Sequence, residues 1–134
     1  MKVVRVAAAI ICDSLQEKQS ILAVARGSGE FQGWWEFPGG KIEEGETAEQ
    51  AVVREIKEEL NVDIRLGELL SIIEYDYPEF KLIMHCFWAE ILGEQNIVLN
   101  DAQESKWLNK ENLKDLKWLP ADIALLDKIE EKLK

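Results

Sequence analysis

REIKEELNV, residues 54–62, sets three glutamates, Glu55, Glu58 and Glu59, within five positions. The residues before it, AEQAVV (48–53), are mostly good helix formers. Thr47 and Gln50 fit a capping box, so the spacing predicts a helix that begins after Thr47. Asn61 stands where that helix should stop, in the left-handed conformation that Asn tolerates best after Gly. Just upstream, GGKIEEGET (39–47) adds Glu43, Glu44 and Glu46. Like charges this close repel, so their direction matters. At about 100° per residue, with Glu55 at zero, Glu59 falls near 40° and Glu58 near 300°. Val52, Ile56 and Leu60 follow at roughly 60°, 100° and 140°. The three acids therefore share one face and border the apolar stripe, while Gln50, Lys57 and Arg54 take the opposite, solvated side. Carboxylates at the edge of a core are costly unless paired or metal-bound. Three convergent carboxylates suit a hard divalent cation such as Mg²⁺ or Mn²⁺. Surface ion pairs with Arg54 and Lys57 are the competing explanation.

Around this helix the chain reads as strands. Val3–Cys12 is a buried strand, and 13–20 is a polar turn into a second strand, Ile21–Arg26, which implies a hairpin. GSGEFQG (27–33) is a glycine-punctuated loop, WWEF a short strand, and PGG a tight turn that can present amides to phosphate oxygens. Leu66–Tyr77 and Phe80–Ile91 are two long strands joined at YPEF. Residues 92–103 are loop-like, and ESKWL is a short strand. Asn109 can cap a short helix, KENLKDL. Pro120 opens a final helix running to the end, with Ile123, Leu125, Leu126, Ile129 and Leu133 as its apolar side. The fold class is α/β (α+β) in one layered domain, residues 1–134.

The net charge of −10 argues against a basic face for a nucleic-acid polymer. It allows a small anionic substrate, provided a cation mediates the contact. Cys12 and Cys86 lie in apolar runs, with no CxxC spacing that would suggest zinc. VVRVAAAIIC is too short for a membrane span and is interrupted by Arg5, so a cytoplasmic chain is expected.

Gly40, five residues, Glu46, seven residues, and then Arg54 to Val62 resemble the Nudix box, G-x5-E-x7-R-E-U-x-E-E-x-G-U, where U is a bulky apolar residue. Every defined position matches except Asn61, which replaces the final Gly. WEFPGGKIEEGETAEQAVVRE, EYDYPE and LPADIALL extend the resemblance to the MutT-type branch, which includes 8-oxo-dGTP diphosphatases and CTP pyrophosphohydrolases. It implies a mixed β-sheet between helices, with the box as loop-helix-loop. It implies that water attacks the β-phosphorus of a nucleoside triphosphate, giving the monophosphate and pyrophosphate.

By that resemblance Glu55, Glu58 and Glu59, with the carbonyl of Gly39 or Gly40, bind Mg²⁺ or Mn²⁺, and Arg54 orients a catalytic glutamate. Glu46 is a structural box residue, favoured near a helix N-terminus. A later acid six residues before a Trp points to Asp101 as a further ligand or general base, with Glu104 as alternate. Arg26, Phe37, Tyr77 and Asp122 are the candidates for substrate binding. The lone His85, in an apolar strand, is expected to be structural or to line a pocket. The expected substrate is an oxidised purine nucleotide such as 8-oxo-dGTP, in nucleotide-pool sanitation and DNA repair. A CTP-type pyrimidine enzyme and a nucleotide-binding module without catalysis are the alternatives. No partner beyond the nucleotide is implied, and the chain is expected to be a monomer or homodimer.

Overall fold

The computed structural model describes residues 1–134. Its centre is strand β1 (Lys2–Cys12), which runs parallel to β6 (Phe80–Ile91) from Lys2↔Phe80 to Cys12↔Glu90. Successive side chains of a strand point to opposite faces. Ala7, Ala9 and Ile11 therefore join one core, and Ala8, Ile10 and Cys12 the other. Helix α1 (Ala48–Leu60) covers the first face and α2 (Pro120–Lys132) the second. A strand covered on both sides needs apolar residues at every position, which explains the unbroken run AAAIIC. The mixed sheet between helices is thus the observed architecture.

β2 (Ile21–Ala25) meets β1 antiparallel at a single register pair, Cys12↔Ile21. The expected hairpin is therefore only a corner. β2 peels away to pair with β3 (Trp35–Glu36) on one side and β7 (Glu104–Leu108) on the other. The vacated edge of β1 is taken by β4 (Gly39–Lys41), through Val6↔Lys41, Ala7↔Gly40 and Ala8↔Gly39. GGK is thus a short strand, where the sequence suggested only a turn. A Cβ on Gly39 would collide with the Ala7 carbonyl, so the close approach requires glycine.

β5 (Ile64–Asp76) begins two residues before Leu66 and pairs antiparallel with β6, interrupted by irregular register between Leu66 and Ser71. Asn109 does not cap a helix. Its side chain accepts from the Glu111 and Asn112 amides, both at 3.0 Å, and only Leu113–Asp115 form a 3₁₀ turn. In α2, Leu125, Leu126 and Ile129 are buried as expected, but Ile123 is 55% exposed. No helix is long and apolar enough to cross a membrane.

Both ends of α1 are satisfied. Both halves of the Thr47–Gln50 capping box form, and Asn61 adopts φ 56° and ψ 36°. The four carbonyls that a helix end leaves open each find a donor. The Asn61 amide serves Lys57, the Asn100 side chain Glu58, the Asn100 amide Glu59, and the Val98 amide Leu60. The segment after β6 therefore docks on the end of α1 and brings Asp101 with it.

Candidate active site

One arginine organises the acids of α1. The Arg54 Nε and Nη2 donate to both oxygens of Glu46, at 2.7 and 2.9 Å, and Nη2 also donates to the Lys41 carbonyl at 3.0 Å. Its Nη1 reaches Glu55 at 2.8 Å and Glu58 at 3.2 Å. The helical wheel had set Arg54 on the solvated side. It is instead half-buried, because the loop before α1 folds back and carries Glu46 onto it. Arg54 holds the Glu46 carboxyl down to about 2. These bonds tie the box loop to the helix and, with the Glu43 amide, engage both oxygens of Glu46.

Glu55 lies against β4, where a Cβ on Gly40 would collide with its carboxylate. Gly40 therefore forms a cradle for that side chain. Glu59, one turn further on, has no cation. Burial raises its carboxyl to about 8, with Glu36, Glu55 and Asp101 pushing the same way and the Gly39 amide opposing. Glu58 is the outlier, with a side chain 57% exposed and turned to Arg54. The three box glutamates are thus neighbours but do not converge into a ready-made cage of three acids. Asp101 is close enough for its charge to act on Glu59. Gly27 fixes its loop, since a Cβ there would overlap the Asp101 carbonyl. Glu104 sits at the start of β7, paired with Ala25, and is not among the groups acting on Glu59.

The donor set is all oxygen, suited to a hard divalent cation. Glu59 supplies the observation that fits one: a half-buried carboxyl among like charges, raised by burial and with no positive neighbour.

Beside this cluster a cavity of about 510 Å³ opens against the sheet. Gly39 and Gly40 lie at one part of its wall, and Arg26, Phe37, Tyr77 and Asp122 line the rest, so all four candidates meet there. Their surroundings differ. Phe37 is only 3% exposed and is stacked on Trp118, with centroids 4.6 Å apart, so that ring packs the wall and offers no free face. Arg26 is neither isolated nor free, because Nε and Nη2 grip the two oxygens of Glu36 at 3.1 and 2.8 Å. Tyr77 is stacked on Phe80, and its hydroxyl accepts from the Ala121 amide at 3.3 Å. That bond anchors the start of α2. Leu119 precedes the helix without a capping side chain and Pro120 has no N–H, so the Tyr77 hydroxyl serves the open amide.

Asp122, the next residue, is buried, and its Oδ1 has no hydrogen-bond partner. Burial raises its carboxyl well above the usual range. Glu36 adds to the shift, while Arg26 and the Phe37 amide oppose it. In its neutral form such a carboxyl can donate and accept at once. His85 is half-buried, with an unpartnered Nδ1, and takes no part in this wall.

Glu36 was not singled out in the sequence. It lies between the two regions, and its charge acts on both Glu59 and Asp122. Its signal was faint: one acid inside the apolar run WWEFP.

Residues 2–133 match the family model described as NUDIX domain. The chain is 36% identical over 98 residues to an 8-oxo-dGTP diphosphatase of Proteus vulgaris, covering 70% of this chain and 86% of that one. It is 31% identical over 127 residues to a CTP pyrophosphohydrolase of Escherichia coli strain K12, covering 95% and 91%. Among solved structures, the E. coli ORF135 protein superposes with a TM-score of 0.80 at 29% identity, covering 98% of this chain and 91% of that one. A MutT Nudix hydrolase from Burkholderia pseudomallei gives 0.81 at 24% identity, covering 96% and 98%, which shows the shared fold. This chain belongs to the Nudix family and is a hydrolase of phosphoric anhydrides.

Proposed function

We propose that the chain is an Mg²⁺-dependent nucleoside triphosphate pyrophosphohydrolase that removes oxidised purine nucleotides such as 8-oxo-dGTP from the cytoplasmic pool. One observation carries this reading. The cavity runs from the Gly39–Gly40 cradle beside the α1 acids to the buried Asp122, whose Oδ1 is unpartnered. Such a shape fits a molecule with phosphates at one end and a polar ring at the other. The 8-oxo-dGTP diphosphatase of Proteus vulgaris supports the same choice.

Glu55, Glu58, Glu59, Asp101 and the Gly39 or Gly40 carbonyl are the groups that would hold the ion. When bound, Mg²⁺ supplies charge neutralisation on phosphate oxygens and a lowered pKa for water. Arg54 keeps Glu55 and Glu58 turned toward one another before substrate arrives, since both share its Nη1. Asp101, brought beside Glu59 by the loop docked on α1, is the proposed base. It takes the proton of the attacking water. The water oxygen bonds to the β-phosphorus as the bridge to the α-phosphorus breaks. The monophosphate leaves with the bridging oxygen, and pyrophosphate keeps the new one.

A second reading, CTP or a modified pyrimidine triphosphate, is favoured by the likeness to a CTP pyrophosphohydrolase over nearly the whole chain, and Asp122 is compatible with it. A neutral carboxyl donates to cytosine N3 and accepts from its amino group, and it pairs equally with guanine O6 and N1–H. The E. coli CTP pyrophosphohydrolase matches 95% of this chain, the Asp122 region included. A hydrolysis panel of 8-oxo-dGTP, dGTP, CTP, 5-methyl-dCTP and a nucleotide sugar, with and without Mg²⁺, decides. Release of pyrophosphate from 8-oxo-dGTP is expected. Preference for CTP selects the second reading, and turnover of the nucleotide sugar alone rejects both.

A further inference from the structure

Four aromatic rings line the cavity: Phe31, Phe37, Tyr77 and Phe80. Three are already engaged face to face, Phe37 with Trp118 and Tyr77 with Phe80. Phe31 differs. It meets Trp34 edge-on, at 67° and 5.0 Å, and Tyr77 at 58° and 6.1 Å, so it has no stacked partner.

Its backbone is also unusual. Phe31 holds φ at 65°, the left-handed region that a bulky residue avoids. Gly or Asn would occupy this position without strain. The loop nevertheless enforces the conformation. The Trp34 amide donates to the Phe31 carbonyl at 2.9 Å and the Gly33 amide to the Arg26 carbonyl at 2.8 Å. The Arg26 guanidinium reaches the Glu30 carbonyl at 3.5 Å. A strained aromatic residue kept at a cavity wall, between Glu30 and Gln32, calls for a reason beyond packing on Trp34.

We propose that Phe31 is a specificity-determining residue, whose unstacked ring at the cavity wall receives the face of the substrate's nucleobase. The inference rests on the nucleotide reading above, with the base near Asp122 and the phosphates toward α1. The Glu36–Arg26 pair then serves a second purpose, since the same guanidinium holds both Glu36 and the loop that carries Phe31. Base–aromatic stacking tolerates many bases because each presents a π face. Phe31 would thus select for a base over a base-free phosphate, and Asp122 would read its edge.

The test is Phe31→Ala beside Phe31→Tyr. With the preferred triphosphate, Phe31→Ala should raise KM by roughly 5- to 50-fold, as expected for one lost stack. Its kcat and the inhibition constant of pyrophosphate, a base-free product, should stay within about twofold of the parent protein. Phe31→Tyr should behave like the parent. An unchanged KM, or a pyrophosphate constant that moves with KM, overturns the proposal. Calorimetry with 8-oxo-dGMP gives a readout that does not need turnover. Weaker binding by Phe31→Ala supports the stack even if no triphosphate is hydrolysed, a result that would reject the hydrolase reading alone. Equal binding by both proteins overturns the stack.

Discussion

The two ends of the cleft treat their acids in opposite ways. At the α1 end, Glu46, Glu55 and Glu58 share a single cation, Arg54, and Glu59 is left among like charges. At the α2 end, Glu36 takes Nε and Nη2 of Arg26, and Asp122 stays buried with its Oδ1 unpartnered. The first arrangement is short of positive charge, which a divalent cation can supply. The second leaves a buried carboxyl, its pKa raised by burial, on the wall of a largely apolar cavity, which suits a hydrogen-bonding ring. On the reading proposed above, the first set of acids would serve a metal ion and the second the base. Glu36 joins the two, since its charge acts on both Glu59 and Asp122.

The largest effect should come from the exposed member of the α1 set. Glu58→Gln should lower kcat by two or more orders of magnitude while the circular dichroism spectrum and thermal midpoint stay near those of the parent protein. Glu58 is 57% exposed and contributes little packing, so near-normal turnover would remove it from the metal end. Arg54→Lys should also lose most activity. One ammonium cannot reproduce a fork that holds Glu46 with two nitrogens and Glu55 and Glu58 with a third. A fully active Lys variant would show that charge alone is enough there.

The α2 end makes a prediction about pH. The folded protein keeps a proton on Asp122 above pH 4, where the unfolded chain has lost it. Stability must therefore fall as pH rises from the unfolded value toward the raised folded one. Asp122→Asn removes that titration. Its thermal midpoint should gain on the parent between pH 5 and 7, as scanning calorimetry would show. A constant difference across that range would mean that Asp122 is not held protonated. Glu59 should act in the same direction up to about 8 in metal-free protein, so both proteins are compared without metal.

The smallest effect tests the helix that carries the acids. Asn61 already sits at φ 56°, so Asn61→Gly should change stability by no more than about 1 kcal/mol. Asn61→Ala should destabilise by about 1 kcal/mol, because alanine resists that conformation. A large loss in the Gly variant would show that the Asn side chain has a further task.

These contrasts also show what a sequence can reveal. The α1 helix, its capping box and its left-handed stop depend on residues within a few positions of one another, and all were legible. So was the gathering of Arg26, Phe37, Tyr77 and Asp122, through the family resemblance. What escaped depends on distant partners. GGK looked like a turn because nothing local shows that β1 has an open edge. Arg54 looked solvated because the wheel does not include the loop that returns Glu46 to it. That Phe37 stacks on Trp118 was not legible because Trp118 lies 81 residues away in sequence. Glu36 went unnoticed because its importance comes from two regions meeting around it.

The division between metal end and base end is tested most directly by measuring turnover as a function of both Mg²⁺ and nucleoside triphosphate in Glu59→Gln and Asp122→Asn. The account predicts that Glu59→Gln shifts the Mg²⁺ activation constant and leaves discrimination between 8-oxo-dGTP and CTP unchanged. Asp122→Asn should alter that discrimination at an unchanged Mg²⁺ constant. If both substitutions move both quantities together, the two ends are not separate sites, and the account is wrong.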